Sequence, residues 1–282
     1  MATMGASDTD MQSQQRTPAA AVDTGNVLVG SRRGATMATL GQLALSFGIL
    51  LAVWWLLSAG IASNVLPHPP RAFEAIATLT ANGELPSALW TTIPGLLIGL
   101  FAATIVGAVA GLLMGLIAPL DRLMGPWLYV FWSMPIVAAL PLVVLTFGIG
   151  VEAVTFYVFL SSLFPVVMNA RSGAKHTDRR LIEVARSMGA RQREILVHVV
   201  IPSSLPPMAA GFRIAIGRAV VGVIIAQLFI SAAGIGRMLQ FYGETLQMEL
   251  YFAPLLTTIA IGLILNGLAD VGEKRLVRWQ ET

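Results

Sequence analysis

Six stretches of this chain contain no Asp, Glu, Lys or Arg: residues 34–70, 85–120, 123–151, 153–170, 219–236 and 250–269. A hydrocarbon layer about 30 Å thick is crossed by a helix of about 20 mainly apolar residues at about 1.5 Å per residue. Every stretch is that long or nearly so, which makes a bilayer the natural solvent. The averages agree, with 12% charged residues against about 25% in soluble domains. The sequence therefore predicts an all-α polytopic membrane protein with about six transmembrane helices, near 38–60, 87–117, 124–149, 151–170, 207–232 and 251–270.

Loop charges orient the bundle, because cytoplasmic loops collect Lys and Arg. With N-in and C-in ends, fourteen basic residues fall inside and only Arg71 and Arg237 outside. In a soluble protein the net charge of +3 would suggest nucleic acid. Here the basic residues cluster in loops, topology explains them, and no nucleic-acid partner is expected. Residues 1–36, rich in Ser, Thr, Gln, Asp and Gly, read as a disordered cytoplasmic tail. Residues 37–273 form the membrane domain, and 274–282 a cytoplasmic C-terminal tail. Ser31-Arg32-Arg33 could open a cleaved export signal, but the apolar run Met37 to Gly60 exceeds a signal core of about 7–15 residues. A retained anchor is simpler.

The one long inner loop, Arg171 to Pro207, is patterned. Leu181, Ile182, Ala185 and Met188 recur at helical spacing, with Arg179, Arg180, Glu183 and Arg186 on other faces. Thr177 or Asp178 can cap this helix, and Gly189 can end it by adopting positive φ. A second helix carries the stripe Ile195, Leu196, Val199 and Val200, and the prolines 202, 206 and 207 are expected to end it. From physics alone, this helix–glycine–helix element at 177–201 lies flat under the bundle as an interfacial element resting on anionic lipid.

Inside the spans, Gly107, Gly111 and Gly115 repeat at four-residue spacing, with Gly95 and Gly99 on a similar pattern, so another helix can approach closely. Pro135 and Pro141 are expected to kink span three. Arg213 and Arg218 are the only charges in the interior of a span, Glu152 and Asp270 falling at span ends, and Arg218 falls near mid-bilayer. Such a charge marks a pathway or a buried partner, so an anion path and pairing with carbonyls or a neighbouring subunit both stay open. Gln227, fourteen residues after Arg213, falls on a similar face of the same helix and joins Arg213 and Arg218 as a candidate for the translocation path.

Catalytic chemistry finds little to work with. A nucleotide-hydrolysing P-loop needs Gly immediately before Lys, and the two lysines, Lys175 and Lys274, follow Ala174 and Glu273. The sequence has no cysteine, His68 lies far from the inner-loop residues His176 and His198, and none of the three is part of an H-E-x-x-H pattern. No enzyme activity, metal or cofactor is expected.

The order Glu183-Val184-Ala185-Arg186-Ser187-Met188-Gly189-Ala190, then Ile201-Pro202, resembles the "EAA" loop of ABC importer permeases, E-A-A-x-x-x-G followed by I-x-L-P. Val184 departs from the first alanine, and Val199 stands where the family has isoleucine. Leu66-Pro67-His68-Pro69-Pro70, Phe147-Gly148-Ile149-Gly150 and Gly211-Phe212-Arg213 are similar to the L-P-x-P, F-G-x-G and G-L-R pieces of the nitrate, sulfonate and taurine group, in the same order. The resemblance covers nearly all of the chain after residue 40.

That resemblance implies a type I ABC importer permease fold in a bacterial inner membrane and a coupling role for Glu183, Ala185, Gly189, Ala190 and Pro202. It also implies partner ATPase subunits that handle ATP, an extracytoplasmic binding protein and a second permease copy. The solute would be a small anion such as a sulfonate, nitrate or aromatic carboxylate. The family often has glutamate at the place of Gln227. A self-sufficient secondary transporter is the alternative, marked by inverted repeats and buried coupling carboxylates, and the sequence shows neither.

Overall fold

The computed structural model describes residues 32–60 and 65–276, and among them every regular element is helical. The chain divides into two compact units, Met1–Ala52 and Val53–Thr282, and the second contains everything that follows except the start of the first helix. In order, the helices are α1 (Arg32–Gly60), α2 (Pro69–Ala81), α3 (Glu84–Leu116), α4 (Ala118–Ser133), a 3-10 turn (Ile136–Ala139), α5 (Leu140–Phe147) and α6 (Val151–Lys175). There follow α7 (Arg179–Ser187), α8 (Gln192–Ile195), a π-helical turn (Leu196–Val200), α9 (Ile201–Ile230), α10 (Ile235–Glu244) and α11 (Met248–Leu276).

Among the described residues, four helices are long and apolar enough to cross a membrane: Glu84–Leu116, Val151–Lys175, Gln192–Ile230 and Met248–Arg275. The pair α4 and α5 supplies a fifth span if counted as one, and Leu45–Gly60 is a shorter apolar helix within the expected first span. Helices α6 and α11 overshoot their charge-free runs at both ends, because charge marks the edge of hydrocarbon and not the end of hydrogen bonding. Residues 32–36, expected in the N-terminal tail, are helical, and so are 274–276. The rest of both expected tails, 1–31 and 277–282, lies outside the described residues.

Two expectations about proline are corrected. Span three is broken, not kinked: α4 and the segment Ile136–Phe147 meet at 99°. Met134, held extended at ψ 131°, precedes Pro135, whose ring disfavours the helical region for its neighbour. Pro141 lies in the first turn of α5, where its missing donor costs nothing. Conversely, Pro202, Pro206 and Pro207 do not end the loop's second helix, since one helix runs from Gln192 to Ile230. Its coil widens at Leu196–Val200, where the Ile201 amide bonds back to the Leu196 carbonyl, and this wider turn makes room just before the Pro202 ring.

Helix α6 sits between α3 and α9 with almost no side-chain spacer. A Cβ added to Gly111 would stand 2.5 Å from the Val167 carbonyl oxygen, and one on Gly115 2.5 Å from the Ala174 Cβ. On the other flank, a Cβ on Gly222 would stand 2.6 Å from Ser161 Oγ, and one on Gly211 2.6 Å from the Asn169 Cβ. The glycine spacing of span two is thus a close-packed seam within one chain. At its end, Asp121 of α4 accepts from Arg171 and, at 2.8 Å, from Lys175 of α6. Arg171 and Lys175, two of the basic residues expected on the inner side, thus share one carboxylate at one end of the bundle.

At the opposite end, α2 and α10 are short amphipathic helices that the search for charge-free runs passes over. They carry apolar stripes, Ala72, Ala75 and Leu79 on one and Ile235, Leu239 and Tyr242 on the other, all buried. The turn at 66–70 is tied to α1: Trp54 Nε1 donates to the Pro67 carbonyl at 3.1 Å, and Ser58 Oγ lies 2.8 Å from His68 Nδ1. Tyr242 donates to Glu84 at 2.7 Å, and burial first, then Glu84, pushes its hydroxyl up to about 12.

The seam makes a direct prediction. Gly111→Val should lower stability by about 1–3 kcal/mol through overpacking, seen as a lower thermal midpoint of the purified protein in detergent. Gly267→Ala, with nothing within 4 Å of the new methyl, should leave the midpoint unchanged.

Candidate functional site

The cytoplasmic loop is built from local rules. Asp178 caps α7, accepting from the Arg180 amide at 2.8 Å. At the other end Gly189 takes φ +84°, a conformation that costs a glycine little. The Gly189 amide then donates to the Arg186 carbonyl at 2.9 Å, and the Ala190 amide to the Ala185 carbonyl at 3.0 Å. These are the paired bonds of a Schellman turn. Ala185, Gly189 and Ala190 thus act together as one helix stop. The chain re-enters helix at Arg191, whose amide donates to Glu194 at 2.7 Å.

The expected apolar stripe divides. Ile182, Ala185, Ala190, Ile195, Val199 and Val200 pack with Ala174 of α6 and Leu112 of α3, on the bundle itself. Leu181, Val184 and Met188 point away, 52%, 58% and 82% exposed. Their i, i+3, i+7 spacing puts them on one face of α7 and its cap. Glu183 is exposed and forms an ion pair with neither Arg179 nor Arg186. Pro202 lies in the first turn of α9, at the junction of loop and span.

The three intramembrane candidates are not brought together, being spread over about 21 Å of helix at 1.5 Å per residue. Arg213 is neutralised by α11: its Nε lies 3.0 Å from Asp270, and its guanidinium also meets Glu273. The acids that answer it are on its own chain. Arg218 is exposed, with its guanidinium 5.5 Å from the centre of the Trp132 ring.

Gln227 is 1% exposed and faces no open path. Its Nε2 donates to Thr92 Oγ1 of α3 at 3.0 Å, and its Oε1 accepts from the Gly236 amide at 3.0 Å. Thr92 Oγ1 also accepts from the Ile235 amide at 3.0 Å. Two orphan first-turn donors of α10 are thereby capped by side chains from two spans. Neither Thr92 nor Trp132 stands out in the sequence, because each is singled out only by a contact with distant α9.

Residues 95–278 match the family of the binding-protein-dependent transport system inner membrane component. A probable ABC transporter permease protein of Brucella abortus is 32% identical over 247 residues, covering 88% of this chain and 98% of that protein. The taurine transport system permease protein TauC of Escherichia coli is 30% identical over 248 residues, covering 84% and 90%. A chain of the MetNI methionine ABC transporter, solved in inward-facing conformations, superposes with a TM-score of 0.57 at 20% identity, covering 71% of this chain and 97% of that one. The fold is that of the type I importer permeases.

The cap on α10 is open to test. Gln227→Ala strands the buried Gly236 amide and should cost about 1–3 kcal/mol, read as a lower thermal midpoint. Gln227→Glu keeps an acceptor at the positive end of α10 and should lose less.

Proposed function

Because the chain belongs to the family of binding-protein-dependent transport system inner membrane components, we propose that it is the permease subunit of a bacterial ABC importer for a small organic anion, coupled to its ATPase through residues 177–201. The multi-pass inner-membrane placement and the assignment of ATP hydrolysis to another subunit follow from that membership. The coupling reading is carried by one observation: Leu181, Val184 and Met188 stay exposed, as does Glu183, while the rest of the stripe is spent on the bundle.

An amphipathic helix with apolar anchors at i, i+3 and i+7 fits a groove on a partner protein. Glu183, without an ion-pair partner among the described residues, is available to a basic group there. The fold also supports a way to transmit motion. Since Gln192–Ile230 is one helix, a displacement of the docked loop moves α9 along its length, up to the Gln227 cap on α10.

In operation, an external binding protein delivers the solute to the outer end, where α2 and α10 lie. ATP binding closes the ATPase pair, the docked loops move, and the path changes from outward to inward access. A second permease copy completes the path. The solute class is supported by the relative named for taurine, an aminosulfonate.

Met188→Asp should reduce co-purification with the ATPase by about tenfold or more, since a charge would be buried in the groove. Glu183→Ala should lower ATPase stimulation while sparing the fold. If Glu183→Ala leaves both assembly and stimulation unchanged, its coupling role is wrong. A screen of sulfonates, nitrate and carboxylates on the cognate binding protein tests the solute class.

A further inference from the structure

Arg71, Arg171 and Arg213 each meet a carboxylate from another helix. Arg218 meets none among the described residues. It lies twelve residues before the outer end of α9 at Ile230, about 18 Å down at 1.5 Å per residue, well inside a hydrocarbon layer about 30 Å thick. A guanidinium at that depth is costly unless water or an anion reaches it. The break between α4 and α5 lies beside it, and non-helical backbone at membrane depth is tolerated only where protein or water covers it.

The side chains lining the crevice around Arg218 are aromatic and apolar, Phe131, Trp132, Met134, Ile136 and Phe164, apart from Ser161, whose hydroxyl is turned to the main-chain carbonyls of Val158 and Arg218. That crevice holds about 20 Å³, room for about one water, so an arriving anion meets the guanidinium from its exposed side. Among the described residues, the guanidinium interacts with the face of the Trp132 ring. A cation–π contact is weaker than a two-pronged charge-assisted hydrogen bond, so an anion with two oxygens on one centre can draw the guanidinium off the ring.

We propose that Arg218 is the anion-binding residue of the translocation path, with the aromatic wall around Trp132 selecting a monoanion that carries a short hydrocarbon body, a sulfonate or a carboxylate. This rests on the importer reading. The guanidinium fork matches two oxygens of either headgroup, and the apolar wall favours an organic tail over a small, strongly hydrated inorganic ion. Trp132 holds the charge between passages.

The test uses the complete permease–ATPase complex in detergent, titrated calorimetrically with butane-1-sulfonate, pentanoate and nitrate. Wild type should bind butane-1-sulfonate or pentanoate at least about tenfold more tightly than nitrate, and Arg218→Gln should weaken that binding at least about tenfold. Arg218→Lys keeps the charge without the fork and should weaken it at least about threefold. If Arg218→Gln assembles, couples to ATP hydrolysis and binds the organic anions like wild type, the Arg218 assignment is wrong while the importer reading stands. Should Arg218→Gln not assemble, Arg218→Lys decides, and unchanged affinity there overturns the assignment. Equal binding of nitrate by wild type overturns the selectivity for an organic body. Failure of the wild-type chain to assemble with any ATPase brings down both readings.

Discussion

The architecture depends on one constraint: α6 must touch both neighbours nearly backbone to backbone. In lipid no hydrophobic force drives helices together, so close van der Waals packing does the work. Gly99, Gly107, Gly111 and Gly115 of α3 press on one flank of α6, and Gly211 and Gly222 of α9 on the other. This three-helix core fixes what hangs from it. At one end α6 leads into α7, and the underside of the loop packs on Ala174 and Leu112. At the other end Thr92 of α3 and Gln227 of α9 jointly cap α10.

A loop locked against a rigid core can serve as a coupling device, because displacement at Met188 has little slack to be lost in. The continuous helix from Gln192 to Ile230 crosses the bundle in one piece. The broken α4–α5 segment is the contrasting element, placing irregular backbone near Arg218. Rigid transmission and local irregularity are thus assigned to different helices.

Much of this was legible in the sequence. Charge-free runs located the spans, and the order from Glu183 to Ala190 identified a helix stop whose Schellman geometry the structure displays. What escaped has physical reasons. Arg237 and Glu244 interrupt the apolar run of α10, so its helical stripe was hidden from a search for charge-free segments. Pro135 announced a disturbance in span three, but a kink and a 99° break share the same local chemistry and tertiary packing chooses between them. The prolines 202, 206 and 207 read as a stop because the π turn that accommodates them has no simple residue signature. Gln227 looked like a path residue until Thr92, 135 residues away, was seen to bond it. Arg213 likewise found its acids on α11.

The chain has no cysteine, so single introduced cysteines report their own surroundings without background. Met188→Cys and Ile182→Cys, each placed in the assembled transporter and treated with a short thiol-to-amine cross-linker, test the central claim most directly. Met188→Cys should cross-link to the ATPase subunit, with a yield that changes when ATP binds, whereas Ile182→Cys, turned toward the bundle, should not. Absence of any ATPase cross-link from Met188→Cys, or equal cross-linking from both positions regardless of ATP, would contradict the account.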